Sequence, residues 1–553
     1  MKKILIPLVC IMLLLTGCKQ TSDKSVTGSG SSQDSDLKVS KQLNILYSSK
    51  DSLNPYTSTS EQNKALSPLL YDSLVDLDNT CKVEYRLAKT VTVNKSSCSV
   101  TLKEARFSDG SAVTASDIVF SFQKAKDSKT QYSAALKYVK SATSVSSDTV
   151  NFSLSRNDPY FSNLLTFPII KSGSDSLKDA DNRALPPIGA GPFVFDFEKN
   201  VLVHNTHFYG SETAIETIQL IDAPDSDAVD QAVKAGTVDF YFTDLLDNVI
   251  PKMNGTSANV FQNRMVFLGI NSKNSILSDS YFRQAISAAL NRESICTDAY
   301  YGKASAATGP YPSFWEPAKD FQTIEQKQNL KTSKTNIGHA GFSKTNKDGF
   351  YLLKNNKPVT LSLLVNKENE CRVSAAGMIA NQLKEAGIKI NLKSVEKNDY
   401  DSMLKSGSYD LYIGEVRIED NMDLGSLVNI DSAKFLIKGG ISENSSASSA
   451  SKSSSSIQSK PQQQSSSNSS GSSDTSNISS QAEPPVITLT SQDAYKGLYN
   501  GTYTVKDMIE AFTAELPVIP VCYRYGLAIY SNDFAGGLTP SRTNLFHGID
   551  LLK

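Results

Sequence analysis

The sequence predicts a mixed α/β protein, and two kinds of periodicity support this class. Apolar and polar residues alternate at 100–102 and 150–154, as they do in half-buried strands. Apolar residues recur at helical spacing at 283–290 and 375–386. The second of these helices ends before Gly387 and is followed at once by a strand pattern at 388–392. Strands and helices therefore alternate along the chain.

The N-terminus has the order of an export signal, which we assign to residues 1–17. Two lysines, an apolar stretch at 4–15 and two small residues precede Cys18. An apolar stretch of about a dozen residues is too short for the roughly 20 that span a bilayer, so a plain membrane anchor is disfavoured. The segment that ends at Cys18 resembles a bacterial lipobox, which implies cleavage before this cysteine and lipidation of its thiol. The rest of the chain is then outside the cytoplasm.

Two segments have compositions that disfavour a packed core. Residues 18–42 are rich in Ser, Gly, Asp and Lys, so we expect a flexible tether between the lipid and the fold. About half of residues 443–483 are serine, which predicts disorder. This tract could link two domains or interrupt one, and we favour an insertion. The residues after it still read as a helix at 504–514 and a strand at 518–523, where Pro520 suggests an edge or a bend.

Composition excludes several functional classes. The 56 basic and 57 acidic residues give no concentrated positive charge for nucleic acid. The four histidines lack zinc-ligand spacing, and no nucleophile-elbow, Walker or dinucleotide-binding motif is present. We therefore expect neither an enzyme nor a cofactor.

The cysteines do not form a disulfide scaffold. Of seven, Cys10 is lost with the signal and Cys18 is lipidated, which leaves five in a long chain. Cys81 and Cys98 flank an alternating segment and could face each other across paired strands, so a disulfide there is one possibility. The other three read as small buried hydrophobic residues.

Residues 107–122 read as a tight turn followed by a helix. Asp109 and Gly110 form a turn pair, Thr114 or Ser116 can cap the helix, and apolar residues from Ile118 onward give its buried face. The segment also closely resembles the signature F-x-D-G-x-x-x-T-A-x-D-V-x-x-S of family 5 extracellular solute-binding proteins. These are the oligopeptide, dipeptide and nickel receptors of ABC importers.

Further segments resemble motifs of the same family and follow in the same order. They lie at 53–55, 70–74, 189–193, 205–210, 235–239, 269–271, 282–286, 291–293, 409–410 and 516–520. The resemblance covers 43–553 apart from the serine tract.

The resemblance implies a periplasmic-binding-protein-like fold, in which two ligand-binding lobes close on a ligand about a hinge and a third lobe elaborates the first two. We assign 43–60, 180–265 and 500–553 to one lobe, 61–179 to another and 266–499 to the last. It also implies a monomeric receptor that hands its ligand to the membrane subunits of an ABC permease, with the lipid on Cys18 holding it nearby.

The resemblance also implies ligand-binding residues. Its oligopeptide receptors bind the ligand's terminal amine with an acidic residue shortly after the Tyr-Asp pair, which corresponds to Glu419, or to Asp420 if the match shifts by one. The alternative is that these two residues only cap a turn. Glu415, Val416 and Arg417 could offer a backbone edge to an extended peptide, and Arg417 could instead meet a ligand carboxylate.

Aromatic residues are candidates for the pocket wall. By family position or aromatic character these are Tyr56, Phe314, Trp315 and Tyr523. Family members often keep a tryptophan near Val416, whereas Trp315 is the only tryptophan in this chain. The pocket wall should therefore differ from the family pattern.

Other functions remain open at this stage. Within the family, the ligand could be a nickel chelate, haem or an oligosaccharide, although the few histidines disfavour the first two. A surface hydrolase would need a carboxylate pair at catalytic spacing, and the sequence specifies none. A receptor or adhesin without a transport role is a third class, for which the serine tract is the only hint.

Overall fold

A computed structural model describes residues 42–211, 213–245, 251–428, 489–534 and 536–552. The predicted signal, Cys18, the tether up to residue 41 and the serine tract at 443–483 lie outside these ranges. Within them, no helix is both long enough and apolar enough to cross a membrane.

The described residues confirm the mixed α/β class. The strands are β1 Gln42–Tyr47, β2 Val75–Leu77, β3 Val83–Tyr85, β4 Ala88–Asn94, β5 Ser97–Leu102, β6 Val139–Ser144, β7 Thr149–Leu154, β8 Phe193–Asp196, β9 Val201–His204, β10 Thr217–Asp222, β11 Phe240–Thr243, β12 Thr256–Ile270, β13 Ala304–Ala306, β14 Thr360–Asn366, β15 Lys389–Val395, β16 Leu411–Arg417 and β17 Val518–Tyr530. The α-helices are α1 Glu61–Ala65, α2 Ser67–Leu70, α3 Ala115–Asp127, α4 Gln131–Ala135, α5 Ser226–Ala235, α6 Ser280–Ala288, α7 Arg292–Ser294, α8 Leu330–His339, α9 Glu370–Glu385, α10 Lys397–Ser406, α11 Gly425–Val428, α12 Ser491–Asn500 and α13 Val505–Glu515.

One large sheet runs through the molecule in the order β15-β14-β16-β12-β17-β11-β1-β10-β9-β8, with β13 added to β17. At one end β14 pairs in parallel with β15 and β16, and α9 and α10 supply the crossovers that parallel strands need. At the other end β1 pairs in parallel with β10 and β11. The long antiparallel pair β12 and β17 joins the two ends.

Two hydrophobic cores lie along this sheet. The first contains β1 and the small sheet β4-β5-β7-β6, and the second contains β14, β16, α6, α9 and α13. On β12 the division falls between Val260 and Phe261, and on β17 it falls between Tyr523 and Ala528. The pair β12 and β17 therefore connects the cores.

The predicted lobe boundaries stay a prediction, because the two cores do not correspond one to one to three lobes. Apart from Cys81, the residues within 61–179 that belong to these two cores lie in the first core, together with those of β1. The prediction also assigned 500–553 to the first lobe, whereas Met508, Phe512 and Ile519 pack in the second core. The physical reason is that β17 passes through both cores, so its sequence position alone does not assign it to either.

The sheet is irregular where the core changes. Phe261 pairs with Tyr525, and the next pair is Arg264 with Arg524, so Gln262 and Asn263 are extra residues on β12. Asn263 has a φ of 51°, in the left-handed region. Extra residues of this kind bend and twist a strand locally. The bulge therefore marks a bend between the cores.

Several local predictions are confirmed. Thr114 caps α3 in a capping box with Asp117. Gly387, with a φ of 84°, follows the end of α9. Pro520 lies at a register shift between β17 and β12, which fits the predicted bend.

The possible disulfide between Cys81 and Cys98 is not formed. Both residues are free thiols. Cys98 lies on β5 in the first core, whereas Cys81 precedes β3 and packs with the second core. The alternating segment does pair with the strand of Cys98, but Val93, not Cys81, is opposite that residue.

Replacing Gly269 with alanine should destabilise the second core. Gly269 pairs with Tyr412, whose buried ring would overlap a Cβ atom at 269. Overpacking of this kind costs about 1–3 kcal/mol, so the midpoint of urea unfolding, followed by the fluorescence of the single tryptophan, should fall. As a control, Gly377→Ala in α9, where a Cβ meets no neighbour, should raise stability by up to about 1 kcal/mol. Equal midpoints for the wild type and Gly269→Ala would contradict this packing.

Candidate functional site: the cleft between the cores

Polar side chains from both cores meet directly after β16. The Nη1 atom of Arg417 donates to Oε1 of Gln131 at 2.8 Å, and Asp420 forms an ion pair with Arg542. These contacts join the end of β16 to α4 and to the C-terminal segment. The structure therefore brings Arg417 and Asp420, two of the predicted residues, to one junction between the cores. We call this junction the cleft, and we call it closed because side chains from both cores touch across it.

Glu419 lies in this cleft with its carboxylate unused. Among the described residues, no group hydrogen-bonds to this carboxylate or forms an ion pair with it. The backbone carbonyl of Glu419, not its side chain, accepts the N–H of Met422 at 2.8 Å. The alternative that the Glu419 side chain caps a turn is therefore not observed. Burial raises the pKa of Glu419, and the nearby Arg417 only partly opposes this effect.

Other polar atoms around Glu419 also lack partners. The Nε atom of Arg417 and the Oδ1 atoms of Asn263 and Asn421 are buried without a hydrogen bond. Most buried polar groups in proteins are hydrogen-bonded, so a group of exceptions in one cleft indicates a place for a ligand or water. Asp420 differs from Glu419, because its carboxylate already forms an ion pair with Arg542.

A second set of contacts closes the cleft beside Glu419. The Nη2 atom of Arg156 lies 2.8 Å from Oδ2 of Asp423, and its Nη1 atom donates to the Tyr495 hydroxyl at 2.8 Å. The guanidinium also lies 3.5 Å from the ring centroid of Tyr499 and 3.6 Å from that of Tyr138. We call Arg156, Asp423 and Tyr495 the latch, because they connect the segment after β7 with the second core.

Asp158 adds a further bridge. Its Oδ2 atom accepts a hydrogen bond from Nδ2 of Asn421 at 2.7 Å, and both side chains are buried. Burial raises the pKa of Asp158 to about 6. Neither this pair nor the latch was predicted, because the partners are far apart in the sequence and no motif marks them.

Glu415 is predicted to offer its backbone to a peptide, and its side chain is bound inside the protein. Its side chain is 2% exposed and accepts hydrogen bonds from Nε and Nη2 of Arg524 at 2.7 and 2.9 Å. Arg372 and Arg264 also contact it, at 3.2 and 3.4 Å. Burial alone would raise the pKa of Glu415, but the arginines hold it well below its usual range. The side chain is therefore part of the structure and does not face a ligand.

The backbone of β16 is partly available as the predicted edge. On one side Glu415, Val416 and Arg417 pair with β12. On the other side β14 pairs with β16 only at Leu411 and Tyr412. Past Tyr412, no described strand pairs with that side of β16. The side chain of Val416 is buried in the second core, so only its backbone is a candidate contact.

The predicted aromatic wall is only partly present. Trp315 meets Tyr160 from the first half of the chain, edge to face at 4.8 Å between ring centroids. Phe314 packs against Phe261. Tyr523 is a buried residue of the second core whose hydroxyl donates to the Pro310 carbonyl at 2.6 Å, so it is not a wall residue.

Tyr56 is also inside a core, the first, where its hydroxyl donates to the Pro168 carbonyl. Its ring lies 6.1 Å from that of Tyr132, edge to face. Tyr132 follows Gln131, the residue that contacts Arg417. Tyr56 therefore packs behind Tyr132 and does not line the cleft itself.

Replacing Arg156 with glutamine should open the cleft. The change leaves the buried Asp423 with Lys137, at 3.7 Å, as its one remaining cation among the described residues, beside the neutral donors Tyr495 Oη and Gly425 N–H. Breaking a buried pair costs roughly 3–5 kcal/mol, and opening restores water to Asp423. The radius of gyration from small-angle scattering should rise. Lys137→Gln is the control, because Lys137 is half-exposed and its 3.7 Å contact contributes at most about 1 kcal/mol. An Arg156→Gln protein as compact as the wild type would reject the latch.

Closure should be favoured at acidic pH. The pKa of Asp158 is about 6 in the closed cleft, and opening returns it toward its ordinary value of 3.8. The closed form therefore binds the proton more tightly. This contribution, up to roughly 3 kcal/mol, is complete below about pH 4 and is lost as pH rises through 6. Scattering between pH 4 and 7 should show more compact protein at the acidic end.

Asp158→Asn is the matched variant for this pH effect. The radius of gyration of this variant should depend less on pH than that of the wild type. Part of the pH dependence should remain, because the pKa of Glu419 is also raised. A cleft that instead opens as pH falls from 7 to 4 would contradict the sign.

Comparisons with known proteins agree with this architecture. Residues 82–433 match the model of bacterial extracellular solute-binding proteins, family 5 Middle. The oligopeptide-binding protein AppA of Bacillus subtilis is 27% identical over 370 residues, which cover 62% of this chain and 67% of that protein. The first curated relatives are matched over 42% to 67% of their own length.

Solved structures show the same fold. An ABC transporter substrate-binding protein from Sinorhizobium meliloti has a TM-score of 0.66 at 17% identity, with 91% of this chain and 98% of that one covered. The unliganded open form of the murein tripeptide-binding protein MppA has a TM-score of 0.64 at 16% identity, with 92% and 98% covered. The predicted periplasmic-binding-protein-like fold is therefore confirmed. Because the family model matches more than half of its residues, the chain belongs to the family 5 bacterial extracellular solute-binding proteins.

Proposed function

We propose that this protein captures peptides outside the cytoplasm and delivers them to an ABC permease. The observation that carries the proposal is the half-buried, unpaired carboxylate of Glu419, in a cleft that two cores close. The names of relatives support the ligand class, since one is an oligopeptide-binding protein and another a probable di/tripeptide-binding protein. We also propose a monomer, because one chain supplies both sides of the cleft.

In this proposal the terminal amine of a peptide pairs with Glu419. A charge-assisted hydrogen bond of this kind contributes on the order of 1.5–3 kcal/mol. Past Ile413, whose carbonyl accepts the Tyr400 hydroxyl at 2.6 Å, no described strand pairs with one side of β16. Backbone groups there can hydrogen-bond the peptide backbone, which all peptides share, so one site accepts many sequences. The unpaired Nε of Arg417 is available to an acceptor group on the ligand.

Ligand binding is coupled to closure of the two cores about a hinge. The bulge at Gln262 and Asn263 lies between the cores, so we assign the hinge to it. A ligand shifts the open and closed populations only by its difference in affinity for the two forms. Glu419 contributes to this difference, because its carboxylate is partly shielded from water in the closed cleft.

The membrane anchor completes the proposal. Lipidation of Cys18 would hold the receptor at the membrane face, where the tether keeps it at a high effective concentration near the permease. The diacylglycerol and a further acyl chain together give stable attachment.

Glu419→Gln should weaken peptide binding tenfold or more, as measured by calorimetry. The amide keeps the shape and removes the charge, and a tenfold loss corresponds to about 1.4 kcal/mol. Glu510→Gln on the exposed face of α13 is the control and should leave affinity unchanged. N-terminal acetylation of the peptide should weaken binding to the wild type but have little further effect on Glu419→Gln.

Two results would reject the assignment. One is equal affinity of Glu419→Gln and wild type for the same free peptide. The other is stabilisation of the protein by a nickel chelate, haem or an oligosaccharide and by none of a peptide library, since a ligand at 100 times its dissociation constant adds about 2.7 kcal/mol of stability.

A further inference from the structure

The guanidinium group in the latch is held by aromatic rings, a hydroxyl and a carboxylate. The guanidinium carbon of Arg156 lies 3.5 Å from the ring centroid of Tyr499 and 3.6 Å from that of Tyr138. Its two Nη atoms contact the Tyr495 hydroxyl and Oδ2 of Asp423, both at 2.8 Å. The faces of aromatic rings attract cations, and a planar guanidinium can stack and hydrogen-bond at the same time. Arg156 therefore occupies a site that fits a guanidinium group.

Most of this site belongs to the second core. Tyr495 and Tyr499 are four residues apart on α12, so they lie on one face of the helix, with ring centroids 5.0 Å apart. The Oδ1 atom of Asp423 accepts hydrogen bonds from the Tyr495 hydroxyl at 2.9 Å and from the N–H of Gly425 at 2.8 Å. We call Asp423, Tyr495 and Tyr499 the cation pocket. Contacts that do not involve Arg156 hold these three residues in place.

Arg156 reaches the cation pocket from the side of the first core. It follows β7, and the N–H of Ser155 donates to the Tyr138 carbonyl at 2.8 Å, so Tyr138 and Arg156 are held beside each other. Among the described residues, no group accepts a hydrogen bond from Nε of Arg156. When the cores separate, Arg156 and Tyr138 leave together, and the cation pocket faces the open cleft. Arg156 therefore fills the pocket only in the closed form.

We infer that the cation pocket is a specificity subsite that binds an arginine side chain of the ligand, and that Arg156 occupies it when the ligand carries none. The inference rests on the proposed function, because it takes the ligand to be a peptide whose amine pairs with Glu419. The carbonyl of Glu419 accepts the N–H of Met422 at 2.8 Å, and the ends of such a turn lie within about 7 Å of each other. Asp423 follows directly, so the guanidinium of the first or second ligand residue can reach it.

The charges of the cleft favour a cationic side chain over a neutral one. Without Arg156, the buried Asp423 keeps Lys137, at 3.7 Å, as its one cation among the described residues, and the carboxylates of Glu419 and Asp158 lie in the same cleft. Closure around a ligand shields Asp423 from water again, and a buried carboxylate needs a partner. A guanidinium from the ligand restores the hydrogen bonds and the stacking. The displaced Arg156 can turn to solvent, because its side chain is already 13% exposed.

The first test compares two peptides that differ only in charge at one side chain. One carries arginine at its first or second position, and the other carries citrulline, a neutral isostere, at the same position. Calorimetry should show that wild type prefers the arginine peptide. Arg156→Ala should raise this preference to about tenfold or more, because the internal competitor is gone and a hydrogen bond to a charged group contributes at least that factor. The ratio of affinities cancels the effect of the lost latch on closure.

Two further variants complete the peptide test. Asp423→Asn keeps the shape of the cation pocket and removes its charge, so it should bind the arginine and citrulline peptides equally. If Arg156→Ala does not fold, Arg156→Gln takes its place, because glutamine keeps most of the bulk and removes the cation.

The second test needs no peptide. Arg156→Ala leaves a space that fits a guanidinium group, so millimolar methylguanidinium should raise its melting temperature and lower its radius of gyration, whereas neutral methylurea should do neither. Arg183→Ala is the matched control. Arg183 also lies over a ring, 4.5 Å from the centroid of Phe197, and pairs with Asp179, but its side chain is 59% exposed. Methylguanidinium should stabilise Arg183→Ala no more than wild type.

The outcomes separate the subsite from the proposed function. Equal affinity of Arg156→Ala for the arginine and citrulline peptides at both positions would overturn the inference, and so would an arginine preference that persists in Asp423→Asn. If methylguanidinium restores Arg156→Ala and no peptide binds any form of the protein, the peptide ligand is wrong and the cation pocket stands. If peptides bind through Glu419 and arginine brings no gain, the subsite is wrong and the receptor stands.

Discussion

The buried carboxylate of Glu415 is the interaction on which the closed structure depends. It joins β16 to Arg524 on β17, Arg264 on β12 and Arg372 on α9, next to the bulge between the cores. Arg524 also donates to the Asp244 carbonyl, which follows β11, at 2.9 Å. Losing one partner of such a buried pair typically costs 3–5 kcal/mol, so these strands keep their positions when the cores move.

A hinge fixed in this way lets contacts far from it set the closed population. The latch and the pair of Asp158 with Asn421 both join the cores, and neither needs a ligand. The closed form is thus stabilised by the protein itself, and a ligand has to supply only the remaining difference. The strength of the latch then tunes apparent affinity, because less of the ligand's binding free energy is needed for closure when the closed form is already more populated.

Local structure could be predicted from the sequence, whereas the site could be predicted only in part. Periodicity and capping gave α6, α9, α13 and β17, because they depend on neighbouring residues. The role of Glu415 depends on arginines 43, 109 and 151 residues away, and the latch joins positions 267 residues apart. Lobe boundaries are hard to place from the sequence for a similar reason, since β12 and β17 contribute residues to both cores. Glu419 came from a family motif, and composition alone did not single it out.

Glu415 and Glu419 lie four residues apart on one segment, and the difference between them carries the functional argument. Glu415 is fully buried and Glu419 is half-buried, but three guanidinium groups surround Glu415, and no described side chain is bonded to the carboxylate of Glu419. An uncompensated carboxylate in a closed cleft is costly, and its raised pKa is the sign of that cost. An ammonium group removes the cost in the closed form, whereas water already solvates the carboxylate in the open form. An amine at Glu419 therefore binds the closed form selectively, and this selectivity is what couples capture of the ligand to closure of the lobes.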